Sequence, residues 1–137
     1  MNKHLYLRAY LAGIAVPTVF LLVVVIGYAI LRYAVGFPVP LERVIVFPMA
    51  VVPNLWGLWN MAFVALEEKW HLSVGLHGML LPFLLAPLAM VAASIFQIPI
   101  PHLFFTLWPV LAAVVLSAYY LAWKYLVGGL NQILGVA

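Results

Sequence analysis

FPMAVVPNLWGLWNMAFVALEEKWHLSVGLH, residues 47–77, holds a long apolar run and the polar residues that interrupt and end it. Its segment 47–66 is apolar apart from Asn54 and Asn60, carries Pro48 and Pro53, and ends abruptly at Glu67-Glu68-Lys69, the densest charged cluster of the protein. His71 and His77 follow. A helix needs about 20 mostly apolar residues to cross a hydrocarbon layer about 30 Å thick, and this segment has that length.

Working outward, the same character recurs at Ala9–Leu31, Met79–Ile98 and Leu103–Trp123, and the central run extends back to Val44. In lipid the backbone polar groups of such runs have no water to bond, so helices satisfy them and irregular chain does not. The sequence therefore predicts an all-α integral membrane protein, a compact four-transmembrane-helix bundle with spans at about 9–31, 44–66, 79–98 and 103–123. Residues 1–137 form a single transmembrane domain in this reading, with both termini on the same side of the bundle. Short connections make consecutive helices antiparallel neighbours.

Composition agrees. Of 137 residues, 69% are hydrophobic and 7% are charged, whereas about a quarter of the residues in an average soluble domain are charged. Six Lys and Arg against three Glu give a formal charge of +3. The basic residues stand singly beside apolar runs, which is membrane-flanking charge and not a nucleic-acid footprint. No nucleic acid is expected as a partner. The absence of cysteine removes disulfides, thiolate metal sites and thiol redox chemistry. Lys3 and Arg8 precede the first run as they would in a signal peptide, but the run exceeds the 7–15 residues of a cleavable h-region and is expected to stay as an anchor.

Lys and Arg near the span ends set the orientation. Lys3, Arg8, Lys69 and Lys124 share one side, Arg32 and Arg43 the other, which places both termini in the cytoplasm of a multi-pass protein of the plasma or inner membrane. FPVP at 37–40 and IPIP at 98–101 form two proline turns on the opposite side. Pro17, Pro53, Pro87 and Pro109 fall inside spans, where helix packing explains them better than a kinked binding cavity. Gly128-Gly129 is expected to end the fourth helix, leaving a tail that lies at the interface or folds onto the bundle.

Three constellations carry possible chemistry. Ala50, Asn54, Gly57 and Met61 share a helical face on which small residues let another backbone approach while Asn54 bonds across. Interhelical bonding is the favoured role, and a ligand contact beside the Pro53 break is the alternative. A second face takes Pro53, Trp56, Asn60, Phe63 and Glu67 and leads toward the charged end, so it is able to form a notch for an apolar or amphipathic molecule. Asn54, Trp56, Asn60, Phe63 and Glu67 are thus the ligand-binding candidates. Glu67, Glu68, His71 and His77 have the residue types and the E-x-x-H spacing of carboxylate–imidazole metal sites, but a loop ion pair with solvated histidines is the favoured reading. No span carries a deep charged residue of the kind proton relays use.

No catalytic residue and no cofactor follow from these patterns. The expected function is that of a non-enzymatic membrane subunit whose partners are the lipid bilayer and either further copies of itself or a larger membrane complex. The alternatives are a binding or transport component built on the Asn54–Glu67 face and a metal-dependent membrane enzyme using Glu67, Glu68, His71 and His77.

Overall fold

The computed structural model describes residues 4–36, 38 and 40–136, apart from the side chains of Arg43 and Val44. Lys3, Phe37, Val39 and the Arg43 side chain, which enter the orientation and loop expectations, lie outside the described residues. Among the described residues all regular structure is helical: α1 (Leu5–Ala34), α2 (Leu41–Trp70), α3 (Val74–Met79), α4 (Leu81–Ile95), α5 (His102–Leu121), a π-helical segment (Ala122–Val127) and α6 (Gly128–Ile133). Four helical runs are long and apolar enough to cross a membrane: Leu5–Ala34, Ile45–Trp70, Val74–Ile95 and His102–Ile133.

Local chemistry explains where each run begins and ends. Pro40 and Pro101, the last residues of the two proline turns, sit at the N-caps of α2 and α5 with closely similar extended backbones (ψ 138° and 140°). Proline there fixes φ and leaves the following residue free to begin a helix. Ser73 caps α3 by accepting the Leu76 N–H at 3.4 Å, so the third run starts at Val74 rather than at Met79. It also ends earlier, at Ile95. Gln97 takes a left-handed φ of 53°, and the Gln97 and Ile98 amides bond back to the Ser94 and Ala93 carbonyls at 3.2 and 2.9 Å. This is a Schellman closure.

The expected end of the fourth helix is overturned. Gly128 and Gly129 lie inside a helical run that continues to Ile133, and the residue that stops it is Gly135, at φ 63°. The Gly135 and Val136 amides bond to the Gln132 and Asn131 carbonyls at 3.1 and 2.7 Å, a second Schellman closure. Arg8 Nη1 then donates to the Leu134 carbonyl at 2.9 Å, a cation placed where the helix dipole is negative. The tail is part of the bundle and is fastened to the start of α1.

A further correction concerns Glu67-Glu68-Lys69, which occupies the last turns of α2 and not a loop. The helix stops only at His71, whose left-handed backbone (φ 48°) donates its N–H to the Glu67 carbonyl at 3.1 Å.

The core lies toward the end that holds both termini. Its buried residues include Ala9, Ala12, Gly13, Pro17 and Leu21 of α1, Trp56, Gly57, Asn60 and Phe63 of α2, His77 of α3, Leu81 and Leu85 of α4, Trp123 and Val127 of the π segment, and Asn131 of α6. Helices α1 and α2 cross backbone on backbone: a Cβ on Gly13 would stand 2.6 Å from the Trp56 carbonyl oxygen and 2.8 Å from the Gly57 Cα. Only glycine permits that approach, the small-residue contact typical of closely packed apolar helices. Helix α5 differs from the rest in having no buried residue along its whole length.

Candidate functional site

Tyr119, Trp123, Val127 and Asn131 follow one another at four-residue steps, and each step overshoots a 3.6-residue turn by about 0.4 residue. In a regular helix that stripe would drift around the surface. The wider π turns between Ala122 and Val127 counter the drift and hold Trp123, Val127 and Asn131 in the interior, each almost fully buried. Opposite them α2 presents Trp56, Asn60 and Phe63. Two helical stripes thus meet face to face.

The centre of this contact is an amide pair. Asn60 Nδ2 donates to Asn131 Oδ1 at 2.8 Å and to the Ala9 carbonyl at 2.7 Å, and Asn131 Nδ2 donates back to Asn60 Oδ1 at 3.1 Å. Asn60 and Asn131 are 0% and 1% exposed. The pair ties α1, α2 and α6 together, and each amide meets the other's desolvation cost.

Beside it lies a cluster of rings. Trp56 packs against Tyr119 and Trp123 with centroids 5.1 and 5.2 Å apart. His77 stacks on Trp59 at 5.0 Å and meets Phe63 at 5.3 Å and Trp123 at 6.1 Å. Trp59 and His77 are also bonded reciprocally, Trp59 Nε1 donating to the His77 carbonyl at 2.9 Å, with His77 Nε2 3.0 Å from the Trp59 carbonyl. A carbonyl only accepts, so Nε2 carries the proton. Gly78 completes the contact, because a Cβ there would fall within the Trp123 side chain. Trp123 Nε1 is buried without an acceptor.

The five ligand candidates divide accordingly. Trp56, Asn60 and Phe63 are buried and packed, so they form structural contacts and leave no open notch along their full stripe. Asn54 is on the α1–α2 seam, where its Oδ1 accepts from the Tyr10 hydroxyl and its Nδ2 donates to the Ala50 carbonyl at 2.7 Å. That is a bond across helices beside the Gly13–Gly57 crossing, as the Ala50–Met61 face anticipates. Only Glu67, with one edge of Phe63, reaches an open space: a cleft of about 210 Å³ bounded also by Leu72, Ser73, Asn131 and Gln132.

The four metal candidates do not converge. Glu68 and His71 are exposed, Glu67 faces the cleft, and His77 is 2% exposed among rings, not a solvated loop histidine. Among the described residues no three His, Asp or Glu side chains come together to hold a metal ion. The expected loop ion pair does not form either. Glu67, Glu68 and Lys69 have no side-chain partner among the described residues.

Asn131, Trp59, Trp123 and Tyr119 are not among the candidates that the sequence patterns single out. A signal existed: a buried-type amide in an uncharged tail, aligned at four-residue steps with two aromatics. A fixed 3.6-residue period hides it, because the wider π turns that keep the stripe aligned extend over only six residues. Compared with known protein families, curated proteins and solved structures, the chain matches none of them.

Proposed function

We propose that the chain is a multi-pass membrane subunit without catalytic chemistry of its own, which works as part of a homo-oligomer or larger membrane complex and contributes α5 to the contact. Its four apolar runs span the bilayer in this reading, with both termini and the α2–α3 turn on the cytoplasmic side, following the Lys and Arg bias. The observation that carries the proposal is the exposure of α5. A helix of 20 residues with no buried side chain touches the bundle near its C-terminal end, where Tyr119 packs on Trp56 and the Tyr120 ring lies against Gly75, and leaves the stripe before that end uncovered.

Apolar helices gain nothing hydrophobic by leaving lipid for one another; they associate through close packing and hydrogen bonds. In this chain those resources are concentrated elsewhere, in the Gly13–Gly57 crossing, the Asn60–Asn131 pair and the His77 rings. Helix α5 instead offers Leu103, Leu107, Val110 and Val114 on one stripe, all exposed, at the three- and four-residue spacing of a packing face. The interior supports the same reading, since its amides and imidazole are bonded to other groups of this chain.

Single cysteines test it cleanly in a chain that has none. Cysteine at Leu107, Val110 or Val114, oxidised or bridged in native membranes, is expected to give cross-linked species of higher mass. Cysteine at Val19 or Val23, exposed on α1, serves as the lipid-facing control. Monomer alone at every α5 position would overturn the proposal.

A further inference from the structure

The cleft beside Glu67 has a composition that the subunit reading does not use. Its walls are apolar at Phe63, Leu72 and Val74, and its polar groups are the Glu67 carboxylate, the Ser73 hydroxyl and the amides of Asn131 and Gln132. Asn131 is engaged with Asn60, which leaves Glu67, Gln132 and the second lone pair of the Ser73 hydroxyl, whose oxygen already accepts the Leu76 N–H, to meet a guest. The one formal charge on the lining is negative.

Nothing in the described chain neutralises that charge. Arg8 donates to the Leu134 carbonyl, Lys124 lies over the rings of Tyr120 and Tyr125 at 5.7 and 5.2 Å, and Lys69 is two positions from Glu67 and so on another side of the helix. Glu67 has no side-chain partner among the described residues.

We propose that this cleft is a binding site for a primary alkylammonium group, held by Glu67 with Gln132 and Ser73. Three oxygens suit it: a carboxylate, an amide carbonyl and a hydroxyl all accept, and an –NH₃⁺ group brings three N–H donors. An anion is repelled by Glu67, and a quaternary ammonium has no N–H to donate. Size narrows the guest further. The cleft's volume of about 210 Å³ is below the roughly 300–1,000 Å³ of pockets for drug-sized ligands. It admits a small amine or the ethanolamine headgroup of a lipid whose tails remain outside, against Phe63 and Leu72. The site holds whether or not α5 meets another protein.

The experiment compares the parent, Glu67→Gln and Gln132→Ala in detergent. Both altered side chains are exposed and neither has a recorded side-chain bond, so the variants are expected to fold. Native mass spectra are recorded after equilibration with equal amounts of dioleoyl phosphatidylethanolamine and dioleoyl phosphatidylcholine. Thermal stability is followed during titration with n-butylammonium chloride, with tetramethylammonium chloride as control. If the guest is a lipid headgroup, the parent retains ethanolamine over choline lipid on the order of tenfold, the value of one charge-assisted hydrogen bond. That preference disappears in Glu67→Gln and weakens in Gln132→Ala.

If the guest is a free amine, lipid retention is unselective, while n-butylammonium alone gives a saturable stabilisation with the same dependence on the two residues. A parent that discriminates in neither assay overturns the proposal. So does discrimination that survives Glu67→Gln. An effect lost in Glu67→Gln but untouched by Gln132→Ala also overturns it, because it reports surface charge and not the cleft.

Discussion

Breaking the Asn60–Asn131 pair is the perturbation that most directly probes how this bundle is held. Asn131→Ala leaves Asn60 Nδ2 on the Ala9 carbonyl but strips Oδ1 of its donor, and one unmet buried acceptor costs about 1–3 kcal/mol. Asn60→Ala removes three bonds at once. The orphaned Asn131 amide, however, borders the cleft, and water entering the space vacated by the Asn60 side chain is expected to offset part of the loss. Each single variant is therefore expected to lose about 2 kcal/mol. The double variant leaves neither amide stranded and should cost less than the sum by about 1–2 kcal/mol, toward the upper end of measured interhelical bonds because two reciprocal bonds are involved. The assay is a double-mutant cycle by reversible unfolding in mixed micelles. Amide exchange over residues 128–134 accompanies it, since loss of the pair should release α6 before the rest of the bundle. Additivity of the single costs to within about 0.3–0.5 kcal/mol would refute the coupling, and unchanged exchange in α6 would refute its role as the fastening of the tail.

Gly78→Ala forces a methyl into the Trp123 side chain and is expected to destabilise the fold by about 1–3 kcal/mol, the range for overpacking, with a change in tryptophan fluorescence at the same time. Asn54→Leu removes the bond from Tyr10 at a site that is exposed and should cost on the order of 1 kcal/mol while the bundle still assembles. Its thermal stability, mass and co-purifying small molecules are read against the parent, and loss of a bound molecule at parental stability would restore Asn54 as a ligand contact. For the threading, cysteines at Val35 and Glu68, both exposed, should be labelled by an impermeant reagent from opposite sides of the membrane. Labelling of both from one side would defeat the four-span arrangement.

Features that depend on composition and on short-range chemistry could be read from the residues alone. Four apolar runs about as long as a bilayer is thick can be counted without knowing what they touch, and all four are helices. Proline in FPVP and IPIP acts through a fixed backbone angle, so the two breaks between helices were legible too, whereas the place of Pro40 and Pro101 at the N-caps of α2 and α5 came from the structure. Asn54 beside the small residues of α2 announced a bond across helices because one face of one helix carried the whole signal. The limits of the helices were harder to read. Gly128-Gly129 has the residue type of a helix end, yet tertiary contact carries the helix through it: Trp123 against Gly78, Val127 in the core and Asn131 on Asn60 stabilise the run together, and Gly135 provides the stop.

Which polar groups meet is a property of the assembled helices. Asn60 and Asn131 are 71 positions apart, and periodicity in either segment says nothing about the other. His77 reads as a solvated loop residue from its charged neighbours, but Ser73 starts a helix four residues earlier and turns the imidazole inward onto Trp59. Glu67 reads as one more member of a buried stripe, and it is the one that emerges, because the α2 helix outruns the core by two turns. The reason is common to all three. A helix sequence fixes which residues share a face, whereas the partner of that face depends on crossing geometry set by Gly13, Gly57 and a six-residue π segment, and that geometry exists only when the helices are assembled.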